Sequence, residues 1–138
     1  MQELKELLSV PFRWGGRDKA TGLDCYGLAQ EVRRIILPDS VPLPAYDAVC
    51  TTYDRESLPR TLIWDLFAAS GRARKTDVPW MGDLVLVLGR RGIAIATYLG
   101  DFDGCERVIA FGASERPELL PIAAVRVVAY WRVSDEAH

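Results

Sequence analysis

The spacing of apolar residues changes near Pro79, and this change limits the folds open to the chain. Before it, apolar residues recur at the intervals of a helix face, in Leu28, Val32, Ile35 and Ile36. After it, apolar runs rich in β-branched residues predict strands, over 84–88, 93–99, 107–111 and 124–133. A Gly-Arg-Arg-Gly turn at 89–92 is expected to join the first pair as a hairpin. Helices followed by an antiparallel sheet predict an α+β domain.

The segment 22–28, Gly-Leu-Asp-Cys-Tyr-Gly-Leu, predicts the start of the main helix. Asp24 is a good N-cap, because its carboxylate can accept from an amide that has no partner inside the helix. Cys25 would then lie in the first turn, where the helix dipole favours a thiolate. Arg33 and Arg34 fall outside the apolar stripe of this helix. Cys25 is therefore a candidate nucleophile, and the alternative is a small, half-buried hydrophobic residue.

Other segments are less regular. A short N-terminal helix is expected to end at Pro11, followed by an extended loop with a glycine turn, and prolines exclude regular structure over 38–44. A second helix is predicted from about Ser57 to Gly71. The basic residues of 72–75 and of 89–92 are expected in solvated loops.

Composition excludes several classes of function. With 138 residues, 49% of them hydrophobic, the chain suits one domain over 1–138. A formal net charge of -2 gives no electrostatic case for nucleic acid. The cysteines, Cys25, Cys50 and Cys105, lie far apart with no histidine nearby, so neither a metal site nor a disulfide framework is expected, and no cofactor is implied.

The N-terminal residues are charged and amphipathic, unlike a signal peptide. No apolar run approaches the roughly 20 residues of a membrane helix, so no membrane insertion is expected. These features predict synthesis in the cytoplasm, with any other location reached by assembly or lysis.

Catalysis by Cys25 would require a general base, which in cysteine peptidases is a histidine. The sequence contains one histidine, His138, at its last position, where order is least expected. The question is therefore whether Cys25 is a working nucleophile or the remnant of one.

Four short motifs occur along the chain in a suggestive order, namely Pro-Phe-Arg-Trp-Gly-Gly at 11–16, Leu-Asp-Cys-Tyr-Gly-Leu at 23–28, Gly-Asp-Leu-Val at 82–85 and Thr-Tyr-Leu-Gly at 97–100. With these motifs the chain resembles an NlpC-type domain, the papain-like fold of bacterial and phage cell-wall peptidases, from about Pro11 to Arg132. It is most similar to the branch found in phage tails, which shares an insert, here at about 37–80.

The resemblance implies that Cys25 matches the nucleophile, but the other catalytic positions differ. The position of the catalytic histidine corresponds to Ala94, and that of the residue that orients it to Ala110. Phe12 stands where the family usually has tyrosine. We expect Ala94 and Ala110 to face Cys25 across a groove.

The resemblance therefore predicts a catalytically degenerate domain that serves as a structural component of a phage or prophage tail tip. Its partners would be other tail-tip or hub proteins, and its location the virion. One alternative is an active cysteine endopeptidase that cleaves peptidoglycan stem peptides, with the base supplied by a partner subunit or a carboxylate. Another is a soluble bacterial module that still binds such peptides.

The insert carries residue types that protein interfaces favour. It ends in a basic segment with Arg72, Arg74 and Lys75, and its tyrosines and tryptophans are Tyr46, Tyr53, Trp64 and Trp80. Trp64 is expected to be part of the core, and at least one of the others is expected to contact another tail protein.

Overall fold

A computed structural model describes residues 2–13, 16–39, 43, 73–89, 92–112 and 114–133, which form an α+β arrangement with a small antiparallel sheet. This confirms the predicted fold class at that level. The helices are α1 (Gln2–Glu6), continued by a short 3-10 helix (Leu7–Ser9), and α2 (Cys25–Ile36). The strands are β1 (Arg17–Asp18), β2 (Gly22–Leu23), β3 (Ala73–Thr76), β4 (Leu84–Gly89), β5 (Gly92–Phe102), β6 (Cys105–Phe111), β7 (Pro117–Pro121) and β8 (Val127–Val133).

Helix α2 begins where the sequence predicts, because Asp24 has extended backbone angles and its carboxylate accepts a hydrogen bond from the Gly27 amide at 2.7 Å. Leu28 and Val32 are buried on the face that packs inwards. Arg33 falls outside the apolar stripe, yet it is not exposed. Its side chain is buried, because it reaches the loop before β4 and donates to the carbonyl of Gly82 at 2.7 Å.

The main sheet has the strand order β3-β8-β4-β5-β6-β7, and every neighbouring pair is antiparallel. The predicted hairpin of β4 and β5 is confirmed, with Gly89 paired to Gly92. The β5–β6 hairpin turns through Asp103 and Gly104, which both have positive φ angles, the conformation that a tight two-residue turn requires. Strands β1 and β2 form a separate two-stranded sheet.

Several strands differ from the prediction. Residues 73–76 were expected in a solvated loop, but they form β3 and extend the sheet beside β8, because tertiary pairing overrides the loop signal of their basic residues. Strand β8 begins at Val127 and not at Ala124, since 122–124 form a 3-10 helix after β7. Strands β1, β2 and β7 were not predicted.

The main sheet carries apolar side chains on both of its faces. One face packs against α2, through side chains that alternate along the strands, including Leu84, Leu86, Ile95, Leu99, Ile109 and Trp131. The other face, called here the distal face, carries Val85, Ala96, Tyr98, Val108, Ala110 and Tyr130. Ile122 and Val125, in the connection from β7 to β8, pack against the distal face.

The second helix predicted over 57–71 lies outside the described residues, as do Tyr46, Tyr53, Trp64, Arg72 and His138. Within the part of the chain that is described, no helix has both the length and the apolar character needed to cross a bilayer.

Candidate functional site around Cys25

The segment before α2 is held by backbone hydrogen bonds to the loop that carries the first motif. The amide of Arg13 donates to the carbonyl of Leu23 at 2.9 Å, and the amide of Leu23 donates to the carbonyl of Pro11 at 3.1 Å. The amide of Asp24 donates to Gly16 at 3.2 Å. The first two motifs therefore form one local unit that fixes where α2 starts.

Two glycines allow this unit to be compact. A Cβ atom on Gly27 would lie 2.3 Å from the carbonyl oxygen of Gly16, and one on Gly16 would lie 2.4 Å from the carbonyl oxygen of Gly22. Real Cβ atoms do not approach a backbone oxygen so closely. Helix α2 can therefore pack against the first loop only with glycine at these positions.

Cys25 is the first residue of α2 and is half-buried. It packs against the cluster between α2 and the sheet, in which Leu84, Leu86 and Ile95 supply side chains from β4 and β5. The N-terminus of the helix favours negative charge at this position, whereas apolar surroundings disfavour it. Cys25 therefore has the helix placement of a nucleophile and packs against an apolar cluster.

The expectation that Ala94 and Ala110 face Cys25 needs correction. Ala110 belongs to the distal-face cluster, with Val108. Ala94 pairs with Val87, whose side chain also packs on that cluster. Directly paired residues share a face, so both alanines lie on the opposite side of the sheet from α2. A shift of one residue reverses the face of a strand, which is why the motif alignment could not fix the orientation.

On β5, the residues that face α2 are Ile95, Thr97 and Leu99. Thr97 is a buried polar residue, paired to Leu84 on one side and Ile109 on the other. Sequence reasoning missed it, although its position in the Thr-Tyr-Leu-Gly motif was the available signal. A threonine hydroxyl is not a base near neutral pH, so it cannot replace the imidazole that a cysteine peptidase uses.

The third motif has a structural role at the start of β4. The Asp83 carboxylate is buried, and it accepts from the amide of Trp80 at 2.7 Å and from the Arg132 guanidinium at 2.9 and 3.2 Å. The Arg132 guanidinium also donates to the carbonyl of Val78 at 3.0 Å and lies 3.6 Å from the centre of the Trp80 ring. Asp83 and Arg132 together fix the turn that carries Trp80.

Arg33 joins the same turn to α2 through its bond to Gly82. Burial lowers the pKa of the Arg33 guanidinium, and the nearby Asp83 carboxylate opposes that shift. Gly82 itself has a φ of 93°, which suits glycine. The Gly-Asp motif therefore connects β4 to both α2 and β8.

A tyrosine pair lies on the distal face. The Tyr98 hydroxyl donates a short hydrogen bond to the Glu106 carboxylate, and the Tyr98 and Tyr130 rings meet edge to face at 6.5 Å. Burial and this bond to Glu106 raise the pKa of Tyr98 to about 12. Burial and the charge of Glu106 also raise the pKa of Tyr130. Both phenols therefore stay protonated around neutral pH, and that of Tyr98 donates to Glu106.

Metal binding has no support in the described ranges, in which no group of at least three histidine, cysteine, aspartate or glutamate side chains is placed to hold an ion. Comparison of the sequence with protein-family models and with curated proteins finds no match.

Proposed function

We propose that the protein is a catalytically degenerate NlpC-type domain that serves as a structural component of a phage or phage-like tail tip. One observation carries the proposal, namely that the one histidine of the sequence is its last residue, while Cys25 packs against an apolar cluster. The strand side chains of that cluster include Leu84, Leu86 and Ile95. Loss of the base of a coupled nucleophile pair removes a factor of about 100 to 10,000 or more in rate.

The placement of the motifs supports the relationship to the NlpC type. The cysteine stands at the start of a helix that packs on an antiparallel sheet, and the Gly-Asp motif opens the strand beneath it. A fold can persist after its catalytic groups are lost, because few residues carry activity and many carry the core.

A role in assembly is supported by the exposure of Trp80, which is 62% accessible. An exposed tryptophan beside arginine is the composition that interface centres favour. The partners under this proposal are other tail-tip or hub proteins, and the location is the virion. Contacts made by Tyr46 and Tyr53 stay predictions.

Activity tests separate the structural role from the enzymatic one. Purified protein should release no stem-peptide fragments from peptidoglycan, and Cys25→Ala should leave particle assembly and infectivity nearly unchanged. An active homologue of the same fold class serves as the positive control for the substrate. Fragment release that disappears in Cys25→Ala would replace this proposal with the endopeptidase alternative.

The endopeptidase alternative is favoured by one feature, the intact cap of α2. Asp24 holds the helix start so that Cys25 lies at the dipole end, as a nucleophile would require. A base would then have to come from elsewhere, either another subunit or a carboxylate.

Assembly has its own test. Replacing Arg72, Arg74 and Lys75 together with alanine should weaken incorporation into the tail. The melting temperature should change little, because Arg74 and Lys75 are exposed and substitutions at exposed positions usually have small effects. Normal incorporation of the triple variant would remove this segment from the tail interface.

A further inference from the structure

The loop between β3 and β4 exposes large apolar side chains close together. Val78, Trp80 and Met81 are 67%, 62% and 49% accessible. Single exposed apolar residues are common, but a contiguous group of large ones marks an interaction site. We call Val78, Trp80 and Met81 the Trp80 loop. The Trp80 amide donates to Asp83 and Arg132 donates to the Val78 carbonyl, so the loop is held in place before a partner covers it and loses little conformational entropy.

A series of contacts on the distal face connects the Trp80 loop to a carboxylate. The Arg132 guanidinium lies 3.6 Å from the centre of the Trp80 ring, two positions beyond Tyr130 on β8. The Tyr130 ring meets the Tyr98 ring edge to face, and the Tyr98 hydroxyl donates to Glu106. Side chains two apart on a strand share a face, so these contacts form one surface. We call Tyr98, Tyr130, Arg132 and the Trp80 loop the Tyr98–Trp80 surface.

Two carboxylates lie at the Tyr98 end of this surface. Asp101 pairs directly with Glu106 across the β5–β6 hairpin, so both point to the same face. Both are exposed, and neither makes an ion pair within the described residues. Burial raises the pKa of Tyr98, and the hydrogen bond to Glu106 and the charges of Glu106 and Asp101 raise it further. The two carboxylates therefore give this end a negative potential.

The basic side chains nearby do not cancel that charge. Arg132 is already paired with Asp83. Arg74 is exposed on β3, and Asp77, three residues later at the start of the loop, is exposed as well and offsets its charge. Arg107 alternates to the other face of β6, where its guanidinium donates to a carbonyl at the end of β5. The Tyr98–Trp80 surface with its flanking residues is therefore mostly acidic.

This combination selects the class of partner. Exposed carboxylates repel nucleic acid and anionic lipid, so the occupant that fits is another protein. Arginine and lysine side chains are attracted both by carboxylates and by aromatic rings. An apolar side chain is the natural cover for the Trp80 loop, because the centre of an interface is depleted of charge.

We propose that the partner covers the Tyr98–Trp80 surface with a basic segment, in which an arginine or lysine meets Asp101 and Glu106 and an apolar side chain meets the Trp80 loop. That the partner is a tail protein rests on the proposed function, whereas the basic character of its segment follows from the charges of this surface. The charged contacts are exposed at the rim, so binding should weaken as salt screens them.

A synthetic peptide tests this chemistry without any tail. The probe is a capped hexapeptide of alternating arginine and leucine, and its counterpart has glutamate in place of arginine. Titration of the full chain is followed by nuclear magnetic resonance at the indole N–H of Trp80, assigned by its loss in Trp80→Phe. The arginine peptide should shift this signal with an affinity that falls as salt rises, and the glutamate peptide should leave it unchanged.

Neutralisation of the carboxylates locates the contact. Asp101→Asn and Glu106→Gln should each raise the Kd of the arginine peptide about threefold, the effect of losing an exposed ion pair. Glutamine keeps an acceptor for the Tyr98 hydroxyl, so the surface is preserved. Asp39→Asn, at an exposed aspartate after α2, is the matched control and should leave the Kd unchanged. Equal binding of the two peptides, or a Kd that neither neutralisation changes, would overturn the proposal, as would self-association that excludes the peptide.

Incorporation into particles separates this inference from the proposed function. Absence of the wild-type protein from tails would remove the proposed function, while the peptide titration still decides the charge of the partner segment. Where the protein is present and Trp80→Ala weakens its incorporation, Asp101→Lys should weaken it too, and Asp39→Lys should not. Circular dichroism confirms that each variant is folded. Normal incorporation of Asp101→Lys in that setting would overturn the basic partner segment and leave the tail role standing.

Discussion

Two nitrogen atoms of the Arg132 guanidinium donate hydrogen bonds to the two oxygens of the Asp83 carboxylate. This contact joins the end of β8 to the turn before β4. Both groups are nearly buried, with side-chain accessibilities of 12% and 4%. In a nearly buried pair, each charge compensates for the loss of solvation of the other. Removal of one partner therefore destabilises the fold, because the remaining charge is left buried and unpaired.

Asp83→Ala should therefore lower the free energy of unfolding by about 3–5 kcal/mol, since it leaves the Arg132 charge unmatched and removes the acceptor of the Trp80 amide. Urea unfolding followed by fluorescence measures the change. The matched control is Glu31→Gln, which breaks the exposed Glu31–Arg34 pair of α2 and should cost less than about 0.5 kcal/mol. Equal effects from the two substitutions would contradict the role given to Asp83.

The cap of α2 should depend on an acceptor at position 24. Asp24→Ala should destabilise the fold by about 1–2 kcal/mol, because the Gly27 amide loses its partner. Asp24→Asn keeps an oxygen in place and should retain most of the stability. Thermal unfolding of both variants checks the difference, and an alanine variant as stable as the asparagine variant would show that the side-chain cap is unimportant.

Gly27→Ala should destabilise the protein even though alanine is the better helix former by about 1 kcal/mol. The reason is the contact with the Gly16 carbonyl, which leaves no room for a Cβ atom. Arg34→Ala, at an exposed position of the same helix, is the control and should change stability by less than about 0.5 kcal/mol. Higher stability of Gly27→Ala in chemical denaturation would mean that the first loop does not pack on α2 as described.

Tyr98 should remain mostly protonated at pH 10, where an ordinary tyrosine is half ionised, since its pKa is raised to about 12. In the unfolded chain a tyrosine titrates near pH 10, so between about pH 10 and 12 the folded state binds more protons than the unfolded state. Stability should accordingly fall as pH rises through that window. Tyr98→Phe should flatten this alkaline slope, and Glu106→Gln should lower the pKa of Tyr98. Urea unfolding across alkaline pH measures the slope, and ultraviolet titration follows the phenol.

The sequence predicted local structure correctly where residues close together in the chain determine it. The Asp24 cap follows from the fit of an aspartate to a helix start, and the β4–β5 hairpin follows from two apolar runs joined by glycines. The same local signals predicted helices before an antiparallel sheet.

Only the tertiary structure decided which surfaces these elements share. Strand β3 exists because β8 lies beside it, although its basic residues resemble a loop. Arg33 is buried because a carbonyl from a distant turn reaches it. Ala94 and Ala110 fall on the distal face because a strand reverses its faces at every residue, which an alignment of short motifs does not resolve. Each of these outcomes depends on contacts between residues far apart in sequence, and neither residue type nor spacing within one segment specifies them.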